Sequence, residues 1–247
     1  MLKQVVVTPA MGKRLIGLGM AAHPAVRAVL EKGTLVIVAG STNGYVVQEV
    51  LRSRGQAFER AGFRRGLVLP PGRAAAKAEF PGDVVLVDGA WQKGKAIFDV
   101  ADGLKAGDLI LKGANAVDLA RRRAGLLIGD PQCGTAGAAN RAVAGRRARM
   151  IVPVGLEKRI PGDVFDAAAM LTDPAAEGPR MLVLPGEIFT EIEALTLLTG
   201  AEATLVAAGG VNGAEGALWL ALTGADAQVQ SAVRLLDTLA AEPPCVV

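Results

Sequence analysis

The chain has 247 residues, of which 51% are hydrophobic and 21% charged, with a formal net charge of +3. That composition excludes a disordered chain and suits one large α/β domain, alone or with a smaller appended unit. Aromatic residues are only 4%, so the core must be built from Val, Leu, Ile and Ala, and no platform for stacking nucleic-acid bases is evident.

Other broad features narrow the class. The two cysteines, Cys133 and Cys245, form no disulfide or metal-ligand pattern. Met1-Leu2-Lys3-Gln4 lacks the design of a secretory signal, and apolar runs stay well short of the ~20 residues of a membrane helix. A cytoplasmic protein is expected, with no metal, no cofactor, no nucleic acid and no membrane among its partners. The dense basic clusters, Arg121-Arg122-Arg123 and Arg146-Arg147, suit solvated helix faces, an anionic ligand or a subunit contact.

From Ala10 to Lys32 the pattern is helical, and Pro24 after His23 either starts a second helix or kinks the first. Gly33 ends it. The run Leu35-Val36-Ile37-Val38-Ala39 reads as a buried strand. It passes through Gly40-Ser41-Thr42-Asn43-Gly44 into a helix from Tyr45 to Arg54. Strand, Gly-rich turn and helix form the unit that builds parallel sheets. Further strands are expected at Val84–Val87, Leu109–Leu111, Leu126–Ile128 and Met150–Val154, with helices at Ala116–Arg123 and Ala136–Ala144. Continuous apolar strands imply a sheet covered on both faces.

Later, Met181–Leu184 leads into a helix from Glu187 to Leu198, whose opening acids Glu187, Glu191 and Glu193 suit the helix dipole. The runs Ala203–Ala208 and Gly216–Leu222 read as paired antiparallel strands, and a helix from Asp226 to Leu239 follows. The expected fold is a three-layer α/β domain with a mainly parallel sheet. Residues 1–180 would form its core domain, and residues 181–247 a small α+β unit packed on it.

Three loops could carry chemistry. In the first, Gly40, Ser41, Thr42 and Asn43 offer converging backbone N–H groups and hydroxyls at a helix N-terminus. A phosphate or carboxylate could sit there, at the carboxyl end of a strand, although the same residues also suit an ordinary helix cap. In the second, Lys112-Gly113-Ala114-Asn115, Lys112 could hold an anionic group or an enolate, with Gly113 and Asn115 as ligand contacts, or could be a surface lysine at a turn. In the third, Gly129 to Gly137, Gly134 and Thr135 are candidate ligand contacts. Cys133 there is either a nucleophile at a helix N-terminus or an inert thiol. Asp88 and Asp102, with Asp99, are candidate acids or bases.

The segment Lys32-Gly33-Thr34-Leu35-Val36-Ile37-Val38-Ala39-Gly40-Ser41-Thr42-Asn43, after its N-terminal helix, resembles the opening of ribose-5-phosphate isomerases. Those enzymes share a fold with glucosamine-6-phosphate deaminases, coenzyme A transferases and sugar-phosphate-sensing repressor domains. Ala39-Gly40-Ser41-Thr42 sits where the isomerases carry a Thr-Gly-Ser-Thr phosphate loop, and Leu109–Asn115 is similar to their Lys-Gly-Gly-Gly segment. The resemblance implies the three-layer fold, the late α+β element and a small phosphorylated ligand. Against the family pattern, Asp102-Gly103-Leu104-Lys105-Ala106 stands where Asp-Gly-Ala-Asp-Glu is usual, and Arg121 stands where the general base would be a glutamate. The functional expectation is therefore a homo-oligomer that binds and transforms a small phosphorylated or carboxylated metabolite, in isomerase- or transferase-like fashion. The alternatives are a non-catalytic metabolite-binding or regulatory protein on the same fold, or a subunit of a larger assembly.

Overall fold

Alternate residues of the central strands enter two different cores, and that alternation sets the layering. Leu35 and Ile37 of β2 (Thr34–Ile37), Leu109 and Leu111 of β5 (Leu109–Leu111) and Ile151 of β8 (Arg149–Pro153) face one core. Val36, Ile110, Met150 and Val152 face the other. A sheet apolar on both sides must be covered on both. The computed structural model describes residues 1–65, 68–69, 71–72 and 82–245; the elements named below lie within them.

The central six-stranded sheet runs in the order β10 (Glu187–Phe189), β8, β5, β2, β3 (Val84–Val87) and β4 (Ala90–Trp91). The first four strands are parallel, and β3 and β4 continue antiparallel at the edge. One face carries α1 (Pro9–Ala22), α2 (Pro24–Glu31), α3 (Ser41–Arg52), α7 (Glu191–Thr199) and α8 (Asp226–Leu239). The other carries α4 (Ile97–Val100), α5 (Gly134–Arg146) and an antiparallel sheet of β6 (Ala116–Asp118), β7 (Arg123–Ile128) and β9 (Arg180–Leu184). A second antiparallel sheet places β12 (Leu218–Thr223) between β1 (Leu2–Val7) and β11 (Glu202–Ala208). The helix α6 (Val164–Leu171) packs on β9.

The expected α/β class holds, in a mixed form: one sheet with parallel strands beside two small antiparallel ones. The break at His23-Pro24 separates α1 from α2, with His23 Nδ1 capping the second helix through Ala25 N–H at 3.2 Å. The paired strands at Ala203–Ala208 and Gly216–Leu222 are β11 and β12. From residue 181 on, the described residues supply strands to all three sheets.

Two local expectations are corrected. Ala116–Arg123 is a β-hairpin, not a helix: the Asp118 carboxylate accepts the Arg121 N–H at 3.1 Å, and Arg122 turns the chain with φ +52°. Glu187–Phe189 forms β10, and the helix begins only at Glu191, behind a capping box between Thr190 and Glu193.

Among the described residues no helix is long and apolar enough to cross a membrane.

Candidate functional site

After β2 the chain turns into α3 on one face, whereas after β5 it runs to β6 and β7 on the other. Adjacent parallel strands whose connections leave on opposite faces open a crevice at their carboxyl ends, the usual ligand position in open α/β sheets. Here the two strand ends are tied together. The Val38 N–H donates to Leu111 O at 3.0 Å. Asn43 Nδ2, in the first turn of α3, donates to both Val38 O at 2.8 Å and Leu111 O at 3.1 Å. Asn43 is only 1% exposed, so its amide is a strut that fixes the spacing of the two loops.

Asp83 fixes the first of these loops from the other side. Because β3 runs antiparallel to β2, the residue before it arrives at the carboxyl end of β2. The buried Asp83 carboxylate accepts N–H bonds from Ala39 at 2.9 Å and Ile97 at 2.8 Å, and Arg65 Nε lies 3.3 Å away. The Gly40 N-cap contributes no side-chain bond, so the first N–H groups of α3 carry no side-chain cap.

Between these loops lies a cavity of about 280 Å³, lined by the Gly40–Asn43 turn and the Lys112–Asn115 loop. Four cations, Lys13, Arg65, Lys112 and Lys158, line it together with Cys245, and no lining residue among those described is a carboxylate. Three of these cations have protein partners. Lys13 Nζ meets Glu157 Oε1 at 3.0 Å, Lys158 Nζ donates to Ala114 O at 2.9 Å, and Arg65 pairs with Asp83. Lys112, 6% exposed, forms no ion pair among the described residues.

The electrostatics follow from these contacts. Burial pushes the Lys112 amine down to about 8, and the Arg65 and Lys158 charges push the same way, against the attraction of Asp83. Burial also lowers Lys158. For Lys13 burial again opposes the charge, but the Glu157 carboxylate outweighs it and the amine is raised. Behind Glu157, the buried Glu191 accepts the Leu156 N–H at 2.9 Å and is pushed up to about 8 by burial and by the Glu157 charge. The absence of a side chain at Gly12 makes room for it, since a Cβ there would run into Glu191 Oε1.

Glu242 pairs with Arg14 at 2.9 Å and lies 3.6 Å from Arg60, and both arginines stack over the Tyr45 ring.

Seven of the residues singled out from sequence thus meet in one place: Gly40, Ser41, Thr42, Asn43, Lys112, Gly113 and Asn115. Asn115 is held there by its Oδ1, which accepts the Leu127 N–H at 3.0 Å. The others lie elsewhere. Asp88 follows β3, so it sits at the opposite end of the sheet, where its Oδ1 accepts the Gly33 N–H at 2.8 Å. Asp102, with its side chain 81% exposed, lies 4.0 Å from Arg141 on the surface. Gly134 and Thr135 start α5 beyond β7, and neither lines the crevice. Arg121 pairs with Asp118 at 3.2 Å and with Asp163 at 3.2 Å.

Sequence reasoning missed Lys13, Arg65, Asp83, Lys158 and Cys245. Only Asp83 carried a local signal, as a buried acid directly before a strand.

Comparison with protein-family models, with curated proteins and with solved structures finds no match. Among the described residues no group of three or more His, Cys, Asp or Glu side chains is placed to hold a metal ion. Fold and site together define a mixed α/β protein with a cation-lined crevice between its central parallel strands.

Proposed function

We propose that this crevice binds a small metabolite through a phosphate or carboxylate group, and that the protein acts on that metabolite in isomerase- or transferase-like fashion. The observation that carries the reading is Lys112, a buried cation that forms no ion pair among the described residues, in a cavity shared with three more cations and with no carboxylate among its described lining residues. A buried unpaired charge is costly, and an anion held between Lys112, Lys158 and the uncapped first turn of α3 would offset that cost. Thr42 Oγ1, buried and without a partner among the described residues, adds a hydroxyl to the same wall.

A second reading, a non-catalytic metabolite sensor, is favoured by the lack of a carboxylate base in the lining and by Arg121 being committed to Asp118 and Asp163. Both readings share the anion site and part company over turnover.

The test is a thermal-shift and calorimetric screen of inorganic phosphate, sugar phosphates, coenzyme A esters and short carboxylic acids on the wild type and Lys112→Met. A ligand at 100 times its Kd adds about 2.7 kcal/mol to stability. A shift present in the wild type and lost in the variant supports the site. A panel without any shift refutes it.

A further inference from the structure

We propose that Lys112 is a nucleophilic amine that condenses with the carbonyl carbon of an anionic aldehyde or ketone held in the crevice, forming an imine. This rests on the anion-binding reading above and names the substrate class for it.

The four lining cations divide the labour of the site. Lys13, Arg65 and Lys158 each have a protein partner that fixes the position of the head group. Lys112 has none among the described residues, and the carboxylate that attracts it, Asp83, is already occupied by two backbone N–H groups and Arg65. A lysine meant only to hold an anion gains from a carboxylate that keeps it charged. One surrounded by other cations in a buried site is instead biased toward the neutral amine, the form with a free lone pair. With the Lys112 value near 8, about half the amine is neutral at pH 8, against roughly 0.4% for an ordinary lysine. The remaining cations and the first turn of α3 can hold the phosphate or carboxylate, which leaves Lys112 for the carbonyl.

The step balances without any further reagent. The Nζ lone pair forms the C–N bond, the carbonyl π pair moves to oxygen, and one nitrogen proton passes to that oxygen. The carbinolamine then loses its hydroxyl with the second nitrogen proton as water. Amine plus carbonyl gives imine plus water, with no change of oxidation state.

Borohydride trapping tests this. The wild type is incubated at pH 8 with pyruvate or with dihydroxyacetone phosphate, reduced, and mapped by peptide mass spectrometry, with and without excess inorganic phosphate. Phosphate binding is measured separately by thermal shift on the same protein, and Lys112→Arg and Lys112→Met are carried through both assays. The expected result is labelling of Lys112 at least about tenfold above the surface lysines as a group, given the excess of neutral amine over an ordinary lysine, suppressed by phosphate and absent in both variants. Which of the two compounds labels tells whether the carboxylate or the phosphate is the handle. If phosphate binds while Lys112 stays unlabelled by both compounds, or labelling spreads evenly over surface lysines, the imine proposal is overturned and the anion site stands. If phosphate neither binds nor protects, and no label appears, both readings fall.

Discussion

Lys112→Met should make the protein more stable at neutral pH, because it removes a buried cation that forms no ion pair among the described residues. In the folded chain the amine lies near 8, against an ordinary 10.5. At about 1.4 kcal/mol per tenfold, that difference is a penalty of about 3 kcal/mol. The sign follows from proton counts. The folded value is the lower one, so between pH 8 and 10.5 the unfolded chain holds more protons, and wild-type stability rises with pH through that window. Below pH 8 the penalty is present in full; above 10.5 it is gone. Methionine keeps an unbranched stem of similar length and needs no solvation. The variant should therefore exceed the wild type by about 3 kcal/mol at pH 7, with the gap closing as pH approaches 10.5. Urea denaturation of both proteins at pH 7, 8, 9 and 10 reads this, since titrating groups that do not interact with Lys112 cancel in the difference. A Met variant less stable than the wild type at pH 7, or a gap that stays constant from pH 8 to 10, would refute the argument.

Three further outcomes are expected. Asn43→Ala removes both amide bonds across the ends of β2 and β5 and should cost about 2 kcal/mol, read as a lower urea midpoint at an unchanged m-value. Glu191→Gln should be nearly neutral at pH 4 and below, where Glu191 is protonated in the folded chain and largely so in the unfolded one. Since its folded value, near 8, lies above that of an unfolded glutamate, wild-type stability falls as pH rises toward 8, and the Gln variant should gain relative to it in thermal melts from pH 5 to 9. Gly17→Ala would set a Cβ 2.9 Å from the Tyr45 carbonyl oxygen, where α1 crosses α3; a loss of about 1–3 kcal/mol is expected. Gly145→Ala in α5, with open space around it, should instead gain up to about 1 kcal/mol, and the pair of melting temperatures separates crowding from helix propensity.

What the sequence revealed was what local chemistry controls. The passage from β2 through Gly40 into α3, the proline at the start of α2 and the span of α8 all follow from short patterns, although α3 begins at Ser41 rather than at Tyr45. The strand β1 was not legible. It is largely exposed along Leu2-Lys3-Gln4 and pairs only with β12, more than two hundred residues later. The hairpin at Ala116–Arg123 is rich in good helix formers, and its turn is decided by the Asp118 carboxylate and by the backbone of Arg122. The direction of β3 was also hidden, because a strand's composition does not say which way it enters a sheet. That direction brings Asp83 to the site and takes Asp88 to the far end. Of the site, the two loops could be read, whereas Lys13 and Lys158, 145 residues apart, meet only through tertiary packing.

The two roles assigned to the crevice predict opposite responses to pH, and that opposition is the sharpest discriminator between them. Anion binding gains from a charged Lys112, so affinity for sulfate, whose own charge is constant across the range, should fall as pH rises past 8. Carbonyl trapping needs the neutral amine, so labelling of Lys112 should rise with pH and level off above about 8. An exposed lysine labelled by simple chemistry would instead keep rising toward pH 10, near its ordinary titration. Bound sulfate should in turn move the onset of Lys112 labelling to higher pH, because the anion stabilises the protonated amine. Calorimetry of sulfate binding and quantitative peptide mapping, both from pH 6 to 10, supply the two curves. Curves that bend at the same pH in opposite directions tie both roles to one amine. A sulfate affinity that is flat across pH 8 removes Lys112 from the anion site, whatever the labelling shows.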